Sequence, residues 1–208
     1  EFRRVLFRSQ ESLKLLCLVN VCMSDISASF FESIKVQRVV LKNCTNFEHL
    51  TEPSVVPVES VEALSVHGMI NPQKLCTHGV FSHASDSISF SKCTFSQMDS
   101  DDNVVFATLP FTSLRIDSCK SMNPIVIDAC GPVLDLCCIE GAKIIINKDG
   151  VTPHLKVIGM RFCGALTTFN AMMKQVCDTV HTVYYANNVL ERGQTACGQF
   201  SNTLKVLV

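Results

Sequence analysis

The sequence predicts an α/β repeat solenoid built around one parallel β-sheet. Three observations carry that expectation. An apolar template recurs about every two dozen residues, its copies alternate with period two, and the segments between copies read as short helices or extended chain. The template is an apolar residue, two spacers, an apolar residue, one spacer, an apolar residue, two spacers, and then Cys, Asn or a substitute.

Four copies are complete: Val36-x-x-Val39-x-Leu41-x-x-Cys44, Val61-x-x-Leu64-x-Val66-x-x-Met69, Phe111-x-x-Leu114-x-Ile116-x-x-Cys119 and Val180-x-x-Val183-x-Tyr185-x-x-Asn188. Weaker ones are Leu13-x-x-Leu16-x-Leu18-x-x-Val21, Ile88-x-Phe90-x-x-Cys93, Leu134-x-Leu136-x-x-Ile139, Leu155-x-Val157-x-x-Met160 and Leu204-x-Val206. The nine start positions are 13, 36, 61, 85, 111, 131, 152, 180 and 201, a repeat of irregular length.

Strand geometry explains the template. Residues two apart in an extended segment point the same way, so Leu64 and Val66 share an interior and Ser65 faces out. One copy cannot bury that face alone. Stacked copies can, because parallel strands about 4.8 Å apart close a continuous apolar column. The ninth place falls where the chain turns away, and an Asn or Cys side chain there meets the turn backbone of its neighbour.

The copies resemble the leucine-rich-repeat family, whose consensus L-x-x-L-x-L-x-x-N/C they spell over residues 13–208. V-Q-R-V-V-L-K-N-C and F-T-S-L-R-I-D-S-C look most like its irregular, cysteine-containing repeats. The resemblance implies one parallel sheet on a concave side that binds protein partners. Val21, Met69, Ile139 and Met160 depart from the consensus ninth residue. Segments 24–34, with Phe30, Phe31 and Ile34 on one side, and 165–177, with Phe169, Met172, Met173 and Val176, suit convex-side helices. Segments 103–106, 124–127 and 143–146 are rich in β-branched residues and read as extended. That feature keeps a right-handed parallel β-helix, an all-β fold, as the alternative.

Residues 1–9 are what a common sequencing adaptor encodes when read in frame and are expected to be a non-native scar. Residues 10–208 are then expected to be a solenoid fragment of about nine repeats, truncated at both ends. The whole chain has 18 basic and 19 acidic residues; without the adaptor's three arginines and one glutamate these become 15 and 18, a net −3. No basic face or run emerges, which argues against nucleic acid and anionic membranes as partners. No apolar stretch is long enough to cross a bilayer. An apolar content of 47% suffices for a packed core of about one domain.

The twelve cysteines lack Cys-x-x-Cys spacing, and no metal or other cofactor is expected. Cys44, Cys93 and Cys119, at the ninth place, read as buried packing thiols. Cys76, His78 and His83 form the closest Cys/His grouping and read as a loop. The run Asp99-Ser100-Asp101-Asp102 reads as a solvated turn rather than as paired acids for sugar cleavage. Asn43-Cys44-Thr45 is a formal glycosylation acceptor. No nucleophile–base arrangement stands out, so the chain is expected not to be an enzyme. Nothing in it selects a cellular compartment.

The functional surface is expected on the outward spacers of successive strands. One column reads Cys17, Val40, Ser65, Ser89, Arg115, Asp135, Lys156, Tyr184 and Lys205, and the next reads Val19, Lys42, His67, Ser91, Asp117, Cys137, Ile158 and Ala186. Lys42, His67, Arg115, Asp117, Asp135, Lys156 and Tyr184 are the candidate binding residues, for a protein or peptide partner. The alternative function is that of a secreted parallel β-helix that binds or cleaves polysaccharide.

Overall fold

A computed structural model describes residues 12–52, 54–77, 79–96, 104–106, 112–127, 131–139, 144–146, 157–161, 182–186 and 206–207. Its centre is a nine-stranded sheet in which every pairing is parallel. In spatial order the strands are β1 (Leu15–Val19), β2 (Arg38–Lys42), β3 (Ala63–His67), β4 (Ser87–Ser91), β7 (Ser113–Asp117), β10 (Val133–Cys137), β12 (Val157–Arg161), β13 (Thr182–Ala186) and β14 (Val206–Leu207). Spatial order follows chain order, so each strand lies beside the one a coil before and the one a coil after.

The alternation seen in the sequence becomes burial. Val39, Leu41, Leu64, Val66, Ile88, Phe90, Leu114, Ile116, Leu134 and Leu136 are at most 1% exposed, and the residues between them are half-buried or exposed. Slipping one strand by a single residue would turn Ser65 or Asp135 into the core, and burying one such Leu or Phe is worth about 1.5–3 kcal/mol. Pairing runs Leu16–Val39–Leu64–Ile88–Leu114–Leu134–Ile158–Val183–Leu207, so Leu64, Leu114 and Val183 share one column.

That column corrects the last copies of the repeat. The sequence template placed Leu155 and Val157 inward, whereas the pairing sets Ile158 and Met160 in register with Leu134 and Leu136; at the end it gives Leu207 the place expected for Leu204. Both settings satisfy period two locally, and only the neighbouring strand distinguishes them. With this register Leu134, Ile158, Val183 and Leu207 follow one another at almost even intervals along the chain. The weak copy also becomes a complete one, Leu155-x-x-Ile158-x-Met160-x-x-Cys163, which moves the ninth place from Met160 to Cys163.

Each turn away from the sheet is made the same way. The residue directly after β1, β2, β3, β4, β7 and β10 has a left-handed backbone: Asn20, Asn43, Gly68, Lys92, Ser118 and Cys138, with φ from 50 to 65°. Asn and Gly tolerate this conformation best. At Gly68 a side chain would also meet the carboxamide of Asn43. The amide N–H groups of the first five donate to the last strand residue of the following coil, at 2.8–3.0 Å. The ladder therefore continues past the strands into the turn.

The ninth residue follows at once and turns back inward. Cys44, Cys93 and Cys119 are buried free thiols, as expected. They also serve as polar fillers. Cys44 Sγ donates to Leu18 O of the preceding coil (3.5 Å), Cys93 Sγ to Val66 O of the preceding coil (3.6 Å), and Cys93 N–H donates to Cys119 Sγ (3.4 Å). Hydrogen bonding with Cys93, then burial, pushes the Cys119 thiol well above the ordinary thiol range. A thiol thus gives the buried Cys93 N–H a partner and adds a donor to carbonyls of the preceding coil, without bringing a strongly hydrated group into the core.

Opposite the main sheet the connections change character along the chain. The first three carry α1 (Ala28–Ile34), a 3-10 turn (Glu48–Thr51) and the one-turn α2 (Lys74–Thr77). Helix α1 is shorter than the expected 24–34 because residues 24–25 form a turn, with Ile26 N–H donating to Met23 O. It buries Phe31 and Ile34, and Phe30 packs beside them. It stops at Lys35, which is left-handed and donates its N–H to Glu32 O.

Later connections are extended, as their β-branched content predicts. Strands β6 (Val104–Phe106), β9 (Ile125–Ile127) and β11 (Ile144–Ile146) form a second parallel sheet, and β5 (Thr94–Phe95) pairs with β8 (Lys120–Ser121). Phe90, Phe95 and Phe106, one from each wall of a single coil, meet at centroid distances of 5.6–5.8 Å and join the walls. The expected helix over 165–177 lies outside the described residues.

Replacing Leu114 by Ala should lower the unfolding free energy by about 2–5 kcal/mol. Ser89→Ala, one place out of the core on the adjacent strand, should cost less than about 1 kcal/mol, although it removes the hydrogen bond to Ser65 Oγ. Urea titration of the two variants checks the contrast.

Candidate functional site

The outward face of the nine-stranded sheet is ruled into two columns by the same register. The first runs Cys17, Val40, Ser65, Ser89, Arg115, Asp135, Gly159 and Tyr184, and the second Val19, Lys42, His67, Ser91, Asp117, Cys137, Arg161 and Ala186. Six of the seven candidate residues therefore fall on the columns expected for them. Lys156 does not: it lies outside the described residues, and Gly159 holds its place beside Asp135. The same shift of β12 puts Arg161 where Ile158 was expected.

The candidates divide into two groups. Lys42 and His67 are direct neighbours across β2 and β3, Lys42 exposed and His67 half-buried. Ser91 separates them from the second group, on β7 and β10. There Arg115 points out with its side chain 50% exposed, between Asp117 two residues along its strand (3.2 Å) and Asp135 on the next strand (3.8 Å). The second oxygen of Asp117 accepts from Ser118 Oγ at 2.9 Å. Half-exposed ion pairs such as these contribute about 0–1 kcal/mol each, so the triad shapes a surface more than it holds the fold.

Beyond Asp135 the column continues with Gly159. A side chain at Gly159 would meet the carboxylate of Asp135, so glycine leaves that carboxylate room beside β12. The backbone of Tyr184 takes the next place. The second column adds Cys137 beside Asp117, and Cys138 Sγ lies 3.5 Å from Cys137 Sγ. The three side chains of Asp117, Cys137 and Cys138 have ligand-type atoms within 4.8 Å of one another. Cysteine spacing alone missed this group, because Asp117 precedes Cys137 by a whole coil and only strand pairing brings it alongside.

Other sequence candidates resolve differently. Cys76 is fully buried, and burial pushes its thiol well above the ordinary range, while His78 lies outside the described residues. The Asp99–Asp102 run, Lys205, Cys130, Cys163, Cys177 and Cys197 are outside them as well. Asn43 of the acceptor triplet is exposed, and its amide nitrogen donates to Asn20 Oδ1 at 3.1 Å. No helix among the described residues is long and apolar enough to cross a membrane.

No family model matches the chain, and no curated protein or solved structure matches it.

The thiols differ in accessibility and acidity. Cys22 is exposed, and hydrogen bonds from Ser24 and Asn46 to its sulfur lower its pKa. A lowered pKa leaves more thiolate at a given pH, and thiolate is the species that alkylates. At pH 7.5, roughly a unit below the ordinary thiol value, Cys22 should react with iodoacetamide well before Cys76, which should react only on unfolding. Peptide mass spectrometry over a labelling time course checks that order.

Proposed function

We propose that the chain is a leucine-rich-repeat type of solenoid that works as a protein-binding module. The partner docks on the outward face of the main sheet, which the resemblance makes concave. The module has no catalytic role. The observation that carries the reading is the pairing of a continuous apolar interior with an outward strip on which Arg115, Asp117 and Asp135 converge while remaining in contact with water. Function and stability are thereby divided between alternate residues of the same strands. A complete Leu155–Cys163 copy and near-constant spacing after Leu134 favour the same family.

The recognition chemistry follows from the strip. Arg115 offers a planar, multidonor cation already oriented by two carboxylates, and Lys42 adds a second cation some distance along the sheet. An extended or flat protein surface with a neutral hydrogen-bond acceptor opposite Arg115, and an apolar or aromatic group opposite Tyr184, complements it. Arg and Tyr are among the residue types that most often dominate binding energy.

One observation favours a second reading, a secreted parallel β-helix that binds or cleaves polysaccharide. The later coils carry extra parallel strands in β6, β9 and β11, and Asp117 and Asp135 sit on one outer face of adjacent strands. Arg115 bridges the two carboxylates, however, and so occupies the room a sugar ring would need between them.

The test uses the immobilised full chain to capture partners from extracts, with Arg115→Glu combined with Tyr184→Ala as the comparison. Capture should weaken roughly tenfold or more, while the melting temperature moves by no more than about 2–4 °C. Unchanged capture sinks the assignment of the face. Release of reducing ends from a polysaccharide panel, lost in Asp135→Asn, would select the second reading.

A further inference from the structure

We propose that Asp117, Cys137 and Cys138 form a binding site for a thiophilic divalent cation of the zinc class, with one coordination position open to solvent. The site shares Asp117 with the partner-binding strip, but the proposal does not depend on that reading. Its basis is a juxtaposition that neither strand geometry nor composition would produce by default.

Neighbouring residues of a strand point to opposite faces, so a Cys-Cys pair within a strand cannot offer both sulfurs to one ion. Here the strand ends at Cys137, and Cys138 takes the left-handed turn position with φ 51°. That reversal brings the two sulfurs to 3.5 Å, close to the roughly 3.8 Å that two 2.3 Å zinc–sulfur bonds subtend at a tetrahedral angle. The strand pairing Cys137–Asp117 then sets a carboxylate beside them, with all three ligand-type atoms inside 4.8 Å. Both cysteines and Asp117 are half-buried, which leaves an entry path from the outer face.

The surroundings suit a cation. The Asp117 carboxylate is oriented by Ser118 Oγ on one oxygen and Arg115 on the other, and two further lone-pair positions remain for a metal. Two thiolates and a carboxylate carry three negative charges. A divalent ion offsets two of these charges and the guanidinium of Arg115, which Asp117 shares with Asp135, part of the third, which lowers the penalty that a half-buried cluster of one sign would carry. Two sulfur donors select zinc-like ions over magnesium or calcium, which prefer oxygen cages. Binding displaces both thiol protons into solvent. Affinity should therefore fall steeply, by up to about a hundredfold per pH unit, as the solution is acidified.

Cobalt(II) is the probe. Added to the reduced full chain, it should produce a thiolate-to-cobalt charge-transfer band and tetrahedral visible bands that zinc(II) then abolishes. Cys137→Ser and Cys138→Ser should each weaken binding at least a hundredfold, and Asp117→Asn at least tenfold. Cys17→Ser with Cys22→Ser should leave it unchanged. Circular dichroism of the metal-free variants checks that they fold. The unaltered protein supplies a second measurement that needs no variant: zinc(II) should protect Cys137 and Cys138 from iodoacetamide while Cys22 stays reactive. A charge-transfer band undiminished in Cys138→Ser, or equal labelling of the two cysteines with and without zinc, overturns the proposal.

Discussion

Parallel strands that stack in register make every position along one strand a neighbour of the same position one coil away. Leu64 touches the level of Val39 and Ile88, and Ser65 that of Val40 and Ser89, so an inward place stays inward from coil to coil. A single polar residue in the inward column would lose its water on both sides, and a single slip would misplace every residue of a strand together. The rest of the molecule depends on that constraint. It accounts for the alternating burial, for the straight succession of strand order, and for the chemistry that accumulates on the outer face.

Keeping register requires each coil to leave the sheet at the same place, and the left-handed residue after each strand does this. Asn20, Asn43 and Gly68 are types suited to the conformation, whereas Lys92 and Ser118 are held there by the N–H ladder, and Cys138 takes the same conformation before the inward turn that follows. The cysteines next to the turn serve the same end. Their sulfurs sit in the core as apolar atoms and still reach carbonyls of their own and the preceding coil. The far side of each coil is less constrained. It needs only to cover the interior, which explains why α1, a 3-10 turn and the strands β6, β9 and β11 serve in succession.

The outer face follows from the same arrangement of columns. Arg115, Asp117 and Asp135 come together because two outward places on β7 lie beside the outward places of β10. Arg115 and Asp117 are separated by one strand step, and Arg115 and Asp135 by one coil. That part of the site was legible in the sequence, since the template fixes which residues face out and which are adjacent. Cys138 was not legible in this way. It stands one place beyond the strand, where alternation no longer predicts direction and the backbone angle decides.

Sequence by itself determined the recurrence of parallel strands, their inward residues through Ile139, and the extended character of segments 103–106, 124–127 and 143–146. These are local properties: period-two alternation, β-branched content and the reach of one strand are all written within a few residues of each other. Tertiary structure decided the register of β12 and the strands after it, because Leu155/Val157 and Ile158/Met160 alternate equally well and only the columns of β10 and β13 discriminate between them. It also decided that Gly159 rather than Lys156 stands beside Asp135, and that two adjacent cysteines share one side of the chain with Asp117. Those outcomes rest on pairing between coils and on one left-handed residue, neither of which a linear pattern encodes.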